Sequence, residues 1–481
     1  MVDKGGLTLV SSIKTRIWLW LTIIGLSGVI AIPAVSQAEP NVGIQVLALD
    51  EALTRALKDH PTVDKAQFDR DSKELALAKR NAVYTPRLSA SLKPLTLSVR
   101  EQEAKIALGE SISVNGSLST MQGWELSAAN RWLTGDRERS GLTVDASLRV
   151  WPPPKHSANY LNLLEAREGA QQTLQQEAKA LSEAVIDTYH RYRSLQIDGD
   201  RLHVYKEENE AKAAAYERVM GKAEQGLAST VEVLVAKREK DESLAVYQRA
   251  LRDYERKRRT FLSDLSLEED LWELEPLPNR LEPVDWVIPL DEAVALALEA
   301  DITLGERNRT LAAARRQVDA MRAANGIELS VGGTIQFLEE RDWEAVYETH
   351  IAFSYPFLDG GSRELERKEA DLALKEAEKA VQTRRFEVGL EVESKLSEIQ
   401  WLKDQVHIAN LDYEKASLQY AAKSLQATNG LIPKSEADAS RRLVMQARLD
   451  WLEKIVAYEV ARLELMSMTG QMVEMEGGYP R

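Results

Sequence analysis

Hydrophobic and polar residues follow two different periods along the chain. After Ser362, apolar residues recur mostly every three or four positions, as at Leu396, Ile399, Leu402 and Val406, and charged residues fill the gaps. This period predicts an amphipathic helix with ion pairs along its surface. Charge-rich gaps alone would indicate only a solvated helix face, so the length of the helix decides the interpretation.

Two proline-free runs, residues 155–275 and 357–432, allow very long helices. A glycine breaks each run, at Gly226 and Gly430, and a helix-starting serine or proline follows three positions later. About 68 helical residues before each of these tip glycines would measure ~100 Å, and helices of that length are stable when packed in a bundle. We therefore predict two helix–turn–helix hairpins. The predicted return helices span about residues 230–266 and 434–468.

Upstream of each long helix, apolar residues alternate with polar ones. The alternation covers residues 142–150, 327–337 and 351–357, and a shorter example, residues 112–118, lies earlier in the chain. A period of two predicts half-buried β-strands. At about nine to eleven residues, such strands have the length that crosses an outer membrane when tilted. An ordinary soluble antiparallel sheet would show the same alternation.

The predicted elements occur twice. "LDEALTRAL" at residues 49–57 matches "LDEAVALAL" at residues 290–298 with an offset of 241, whereas the tip glycines are offset by 204. The first half therefore contains an insertion of 37 residues, within about residues 91–141. In both halves 74 residues separate a proline, Pro152 or Pro356, from the tip glycine, which indicates a length under physical constraint.

The N-terminus has the features of a secretory signal peptide. Basic residues precede an uncharged run at residues 17–32, and Ser36 and Ala38 give a small-x-small cleavage pattern. A retained anchor is the alternative, but this run is short for a hydrocarbon core of ~30 Å, which takes about 20 residues. We expect residues 1–38 to be removed on export, and no later segment is apolar enough for a transmembrane helix.

Composition argues against several classes of function. The net charge of -14 makes a nucleic-acid partner unexpected. The absence of cysteine excludes disulfides, thiol nucleophiles and cysteine-ligated metals. The six histidines form no HExxH motif, and nucleotide-binding and hydrolase motifs are missing. We therefore expect no enzyme activity and no cofactor or metal.

The ordered set of motifs resembles the TolC-like outer-membrane efflux proteins, also called outer-membrane factors. The motifs are the paired "LDEA" helix starts, "YPFLDGGSR" at residues 355–363, "GLASTVEVLVA" at 226–236, "GLIPKSEADA" at 430–439 and "SMTG" at 467–470. No single motif is specific, but their order, duplication and equal spacing are. The resemblance covers about residues 46–470.

The resemblance implies an α+β, mainly α fold with two structural repeats per protomer. Long antiparallel coiled-coil-like helices would form a trimeric α-barrel tunnel in the periplasm. The three protomers would share one antiparallel transmembrane β-barrel, surrounded by outer-membrane lipid. Substrates would pass passively, delivered by an inner-membrane pump through a periplasmic adaptor protein.

The resemblance also implies site positions, although the match at the pore constriction is partial. The tips that would contact the adaptor are Gly226, Leu227, Ala228, Ser229, Gly430, Leu431, Ile432 and Pro433. The pore constriction candidates are Glu436, Asp438 and Glu232. The strand-to-helix transition residues are Trp151, Pro152, Tyr355, Pro356, Gly360 and Gly361. A second acidic position of the family is occupied by Ala439, and acidic residues near a helix N-terminus are favourable without any pore.

The insertion allows two interpretations. It is a loop over the family's 12-stranded barrel, which we favour, or it adds a strand hairpin, giving six strands per protomer and 18 per trimer. "SISVNGSLS" followed by "WELSAANRW" has the pattern of such a hairpin.

Two other classes of protein remain as rivals. An exported structural coiled-coil trimer or adhesin without a conduit explains the helices but not the duplication, and a simple porin explains only the strands. The expected domains are a signal peptide (1–38), a first repeat (39–270), a proline-rich connector (271–289), a second repeat (290–470) and a C-terminal tail (471–481).

Overall fold

The structure is a computed structural model of the chain. It describes residues 45–93, 96–100, 103–107, 111–133, 141–278, 281–284, 288–324, 327–339, 343–355 and 357–474. The expected signal peptide, Pro356 and most of the expected C-terminal tail lie outside these ranges. Within them, no helix combines the length and apolarity needed to cross a bilayer.

Eight α-helices make up most of the described chain. They are α1 (Leu49–Asp59), α2 (Pro61–Asn81), α3 (Ala158–Glu224), α4 (Thr230–Asp264), α5 (Leu290–Ala300), α6 (Ile302–Ala324), α7 (Ser362–Thr428) and α8 (Lys434–Met468). Helices α3 and α7 each contain 67 residues, and α4 and α8 each contain 35. The two predicted hairpins are therefore present, with α3 and α7 ~100 Å long at 1.5 Å per residue.

The described strands fall into three sheets. They are β1 (Gln45–Leu47), β2 (Arg87–Lys93), β3 (Thr96–Arg100), β4 (Glu103–Ala107), β5 (Ser111–Ser119), β6 (Trp124–Leu133), β7 (Gly141–Trp151), β8 (Trp272–Leu274), β9 (Glu328–Glu339) and β10 (Trp343–Ser354). The largest sheet has six antiparallel strands in the order β10-β9-β7-β6-β5-β2. Strands β9 and β10 contain 12 residues each, slightly more than predicted.

The insertion forms strands, so the favoured interpretation as a loop is wrong. Strands β5 and β6 lie inside the six-stranded sheet, between β2 and β7, and β3 pairs with β4 in a separate hairpin. The alternation in "SISVNGSLS" continues the two faces of the neighbouring strands, which explains why this segment joins the sheet.

The proline-rich connector contains a strand that the sequence analysis did not predict. Strand β8 pairs in parallel with β1, from Gln45 opposite Trp272 to Leu47 opposite Leu274. The hydroxyl of Tyr192 on α3 donates a hydrogen bond to the Leu47 carbonyl at 2.7 Å. Burial raises the pKa of Tyr192 to about 12, so this hydroxyl stays protonated and remains a donor well above neutral pH.

The four long helices form one layer in the order α4-α3-α8-α7. Helix α3 packs along α4 on one side and α8 on the other, and α8 packs along α7. Ion pairs join neighbours, with N···O distances of 2.8 Å for Lys212–Glu239 between α3 and α4, and 2.9 Å for Arg201–Glu453 between α3 and α8. Helix α2 packs on α3, and α6 packs on α7. Helices α4 and α7 are thus the two edges of the layer.

The main core lies where α3, α5, α7 and α8 meet. It includes a buried ion pair on α8, in which the Arg462 guanidinium donates to Glu459 Oε2 at 2.7 Å. Glu459 Oε1 also accepts from the Val284 backbone N–H at 2.8 Å. Because both oxygens of Glu459 have partners, the pair is satisfied despite its burial, and it attaches the connector to α8.

We predict that Leu452→Ala destabilises the protein by about 2–5 kcal/mol, because Leu452 is fully buried in this core and its truncation leaves a cavity. Thermal unfolding of the detergent-solubilised protein, followed by circular dichroism, measures the effect. Leu443→Ala is the matched control, since Leu443 lies on the same helix with 58% of its surface exposed. Equal losses from the two variants would contradict the assigned core.

Candidate functional site: helix tips, transition segments and sheet faces

The tip between α3 and α4 is closed by backbone hydrogen bonds around a left-handed glycine. Gly226 has φ 73°, a conformation that side chains disfavour. The Leu227 N–H donates to the Lys222 carbonyl at 2.8 Å, and the Gly226 N–H donates to the Ala223 carbonyl at 2.9 Å. These are the bonds of a Schellman motif, which ends a helix and reverses the chain.

The tip between α7 and α8 has the same geometry. Gly430 has φ 70°, and the Leu431 N–H donates to the Gln426 carbonyl at 2.9 Å. Pro433 is the residue before the first helical turn of α8 rather than within it. Leu227 and Leu431 are 72% and 73% exposed, so each tip presents one apolar side chain.

Only the first tip has a complete capping box. The Ser229 hydroxyl accepts from the Glu232 N–H at 3.3 Å, and Glu232 Oε2 accepts from the Ser229 N–H at 2.7 Å. These bonds from the Ser229 backbone and hydroxyl lower the pKa of Glu232 below its ordinary 4.5. Glu232 therefore has a structural function at the helix start, whatever its place in a pore.

The constriction candidate Glu436 lies in the first turn of α8 and is half exposed. Its carboxylate is 3.2 Å from the ammonium of Lys423, in the last two turns of α7. The sequence analysis missed this lysine, although it lies one heptad before Gly430 on the same hairpin. Asp438 is partly buried and follows two residues later. Glu436 and Asp438 lie in one hairpin, and Glu232 lies in the other.

The transition into α7 is built around Asp359. Helix α7 begins at Ser362, and its capping residue is Gly361, with φ 83°. Asp359 accepts from Arg363 Nε at 2.6 Å and from the Gly361 N–H at 3.0 Å, and these two hydrogen bonds lower the pKa of Asp359. The Arg363 guanidinium also lies over the Tyr355 ring, 5.1 Å from its centroid.

The transition into α3 uses a different device. Ser157 caps α3 by accepting from the Tyr160 N–H at 3.3 Å, after a 3-10 turn at Pro154–His156. The turn between β5 and β6 packs against this segment, because a Cβ added at Gly123 would lie 2.6 Å from Pro154 Cγ. Trp151 is the last residue of β7, and Pro152 follows it directly.

One face of the six-stranded sheet is polar. Directly opposed residues run across all six strands in one row: Glu348, Thr334, Asp145, Ser127, Ser117 and Arg87. Asp145 accepts hydrogen bonds from the hydroxyls of Thr334 at 2.7 Å and Ser127 at 3.3 Å. Such cross-strand bonds fix the register of the polar face.

The other face is mainly apolar and exposed. The next row of opposed residues reads Tyr347, Ile335, Val144, Ala128, Gly116 and Leu88. Tyr347, Ile351, Phe353 and Leu88 are each at least 65% exposed. An exposed apolar face of this breadth, with a polar face behind it, is unusual for a monomer in water.

The edge helices also expose apolar residues. On α7 these residues are Leu365, Leu372, Phe386, Leu390, Trp401, Ile408, Leu411, Leu418 and Leu425. On α4 they are Val231, Leu234, Val235, Leu244 and Val246. The seven-residue steps from Leu411 to Leu418 and Leu425 are those of a coiled-coil contact. Both edges of the helix layer therefore have the pattern of surfaces that pack against further helices.

The described residues contain no cluster of three or more histidine or acidic side chains arranged to bind a metal ion. His60 is buried, and its ring nitrogens lie 2.8 Å from the Thr62 hydroxyl and 3.3 Å from Asp187. His350 packs against Gly332 on the polar face of the sheet. Both histidines therefore take part in packing or hydrogen bonding within the described fold.

We predict that Ser229→Ala destabilises the first turn of α4 by about 1 kcal/mol, because the N–H of Glu232 loses its acceptor. Hydrogen exchange of the tip amides measures the change, and the tip at Gly430, which lacks this cap, serves as the internal control. Unchanged protection in the first turn of α4 would contradict the capping box.

The same cap should depend on pH. Because the pKa of Glu232 is lowered on folding, its stabilisation is complete above the ordinary value and is lost as pH falls through the lowered value. Glu232→Gln keeps an acceptor oxygen without titrating, so the pH dependence of tip protection, corrected for intrinsic exchange, should disappear in this variant. A pH dependence that persists in Glu232→Gln would assign it to another group.

Comparison with known proteins agrees with this architecture. Residues 293–471 match the family model described as "Outer membrane efflux protein". No curated protein sequence was found to match the chain. The fold is similar to the Campylobacter jejuni CmeC outer membrane channel, with 14% identity, a TM-score of 0.64 and coverage of 92% of this chain and 94% of that one.

A second solved structure shows the same likeness. The outer membrane protein VceC from Vibrio cholerae is 13% identical, with a TM-score of 0.59 and coverage of 88% of this chain and 96% of that one. The family consists of outer-membrane channels rather than enzymes. Residues 293–471 therefore carry an outer membrane efflux protein domain, in agreement with the sequence resemblance to the TolC-like outer-membrane channels.

Proposed function

We propose that this chain is the outer-membrane channel and periplasmic tunnel of a tripartite efflux or type I secretion system. Three copies would surround one conduit through which substrates pass passively. The expected outer-membrane location agrees with the family description and with the solved channels that share the fold.

The observation that supports this function best is the continuity between a two-faced sheet and very long helices. Helices α3 and α7 both leave the sheet at the same end, directly after β7 and β10. With the apolar face toward lipid, the polar face would line a water-filled space, as in outer-membrane barrels. The helices would extend that space by ~100 Å.

We expect partner proteins to deliver the substrate to this channel. An inner-membrane pump would provide the energy, and a periplasmic adaptor would contact the exposed helix tips around Leu227 and Leu431. The equal lengths of α3 and α7, and of α4 and α8, support two structural repeats, at residues 39–270 and 290–470, joined by the connector. Equal hairpins would place all tips at one level, which a common adaptor contact requires.

We assign the pore constriction to Glu436, at the tip of the second hairpin. Asp438 lies two residues later on the same helix, and Glu232 has the corresponding position in the first hairpin, six residues after the tip glycine. Three copies of Glu436 around a pore would favour cations, because rings of carboxylates attract them. Lys423 opposes this effect, since its ammonium lies 3.2 Å from the carboxylate and balances part of the charge.

We expect cell fractionation to recover the protein in the outer membrane as an oligomer that dissociates on heating. The purified oligomer should conduct ions in planar bilayers, because the proposed conduit passes through the barrel that the sheets of the three copies would form. A soluble periplasmic or secreted species without conductance would contradict the proposed function and favour a structural coiled-coil protein.

We expect Glu436→Gln to weaken cation preference in planar bilayers, as measured by the reversal potential under a salt gradient. Lys423→Ala should have the opposite effect, because it leaves the carboxylate unopposed. Asp412→Asn is the control, since this exposed carboxylate lies on α7 well before the tip. Unchanged selectivity in both tip variants would remove Glu436 from the constriction.

A further inference from the structure

The six-stranded sheet has two edges, β2 and β10, that lack a neighbouring strand within the described chain. All pairings inside the sheet are antiparallel, so strand directions alternate along the order β10-β9-β7-β6-β5-β2. The two edge strands therefore run in opposite directions. Placed beside each other in adjacent copies, they would form an antiparallel pair like every other pair in the sheet.

The helix layer has its edges in the same arrangement. Helix α4 and strand β2 belong to the first half of the chain, and α7 and β10 belong to the second half. In both layers, an element of the first half forms one edge and an element of the second half forms the other. One rotation that brings α7 of one copy against α4 of the next would also bring β10 against β2.

We propose that β2 pairs with β10 of a neighbouring copy, so that all six strands of each chain enter the shared barrel. This inference rests on the proposed function. A trimer would then have an 18-stranded barrel, in place of the 12 strands implied by the family resemblance. The additional strands are β5 and β6, which come from the insertion.

The chemistry of β2 and β5 supports their inclusion in a membrane barrel. Leu88 on β2 and Leu118 on β5 lie on the apolar face, whereas Ser89, Asn115 and Ser117 lie on the polar face. The same two faces continue on β6 to β10, as the two rows of opposed residues show. A strand folded away from the barrel would have no need to maintain this division.

The width of the sheet also matches the width of the helix layer. Strands ~4.8 Å apart and tilted by about 40° each occupy about 6 Å of barrel circumference, so six strands cover roughly 38 Å. Four helices packed at about 9–10 Å cover a similar width, and four strands would cover only about 25 Å. Six strands therefore allow barrel and tunnel to meet without a step.

A wider barrel changes what the outer part of the conduit can hold. Barrel diameter grows roughly linearly with strand number, so 18 strands give a diameter about half again that of 12 strands. At this size outer-membrane barrels contain an aqueous channel rather than a packed interior. On β5 the polar face consists mainly of serine, a small side chain that takes up little of that space.

The natural chain lacks cysteine, so engineered pairs give an unambiguous test. Ser89→Cys on β2 is combined in turn with a cysteine at one of four polar-face positions of β10. These positions are Val346, Glu348, His350 and Ala352. After treatment of the membrane-inserted protein with a short thiol cross-linker, we expect covalent dimers and trimers on denaturing gels for at least one combination, with the barrel stagger deciding which.

The matched control places the first cysteine at Ser127 on β6, which faces the same side but lies inside the sheet. It should cross-link between copies with none of the four positions. Cross-linking from Ser127, or none from Ser89 in a protein that still conducts, would overturn the 18-stranded arrangement and leave the proposed function intact. Failure of the cysteine-free parent to form a conducting oligomer would instead overturn the proposed function.

Discussion

The constraint on which the structure depends is that no strand edge or apolar helix edge can remain open. A β-strand at the edge of a sheet presents unpaired N–H and C=O groups, and in a bilayer no water is available to satisfy them. Within the described chain, the six-stranded sheet has two such edges, at β2 and β10, and the helix layer has two exposed apolar edges, at α4 and α7. In the proposed assembly, each protomer would be incomplete alone, and closure by further copies would satisfy both layers together.

Away from those edges, a hydrophobic core and several ion pairs hold the elements of the protomer together. The core lies between α3, α5, α7 and α8, and the buried Glu459–Arg462 pair attaches the connector to it. Ion pairs such as Arg201–Glu453 add local registration between helices rather than much stability, because they are partly exposed. Packing along its centre therefore stabilises the layer, whereas its two edge helices, α4 and α7, expose apolar residues.

Much of the helical architecture could be predicted from the sequence because glycine and proline mark its breaks. Gly226 and Gly430 end the long helices at left-handed positions, and the equal spacing before them corresponds to two helices of 67 residues. Other features lacked a local signal. Strand β8 has three residues, too few for a period to be visible, and its partner β1 is distant in sequence. The cap of α7 comes from Asp359 and Gly361 because the two left-handed glycines bring Asp359 back toward the helix start.

The apolar positions of α7 show the main limit of sequence reasoning. Val381, Val392 and Leu402 are buried within the protomer, whereas Leu372, Phe386 and Leu418 are exposed. Both sets have the same period, so periodicity alone cannot tell an internal face from one that awaits another copy. The interpretation of the insertion as a loop is wrong for a similar reason. Alternation identifies a strand but does not show which sheet the strand joins.

The central claim is that three copies close both layers, and native mass spectrometry of the detergent-solubilised protein tests it most directly. The account predicts one predominant species of three chains, with no stable monomer under conditions that preserve the helices. A folded monomer that persists at high concentration, or a closed assembly of another number of chains, would contradict it.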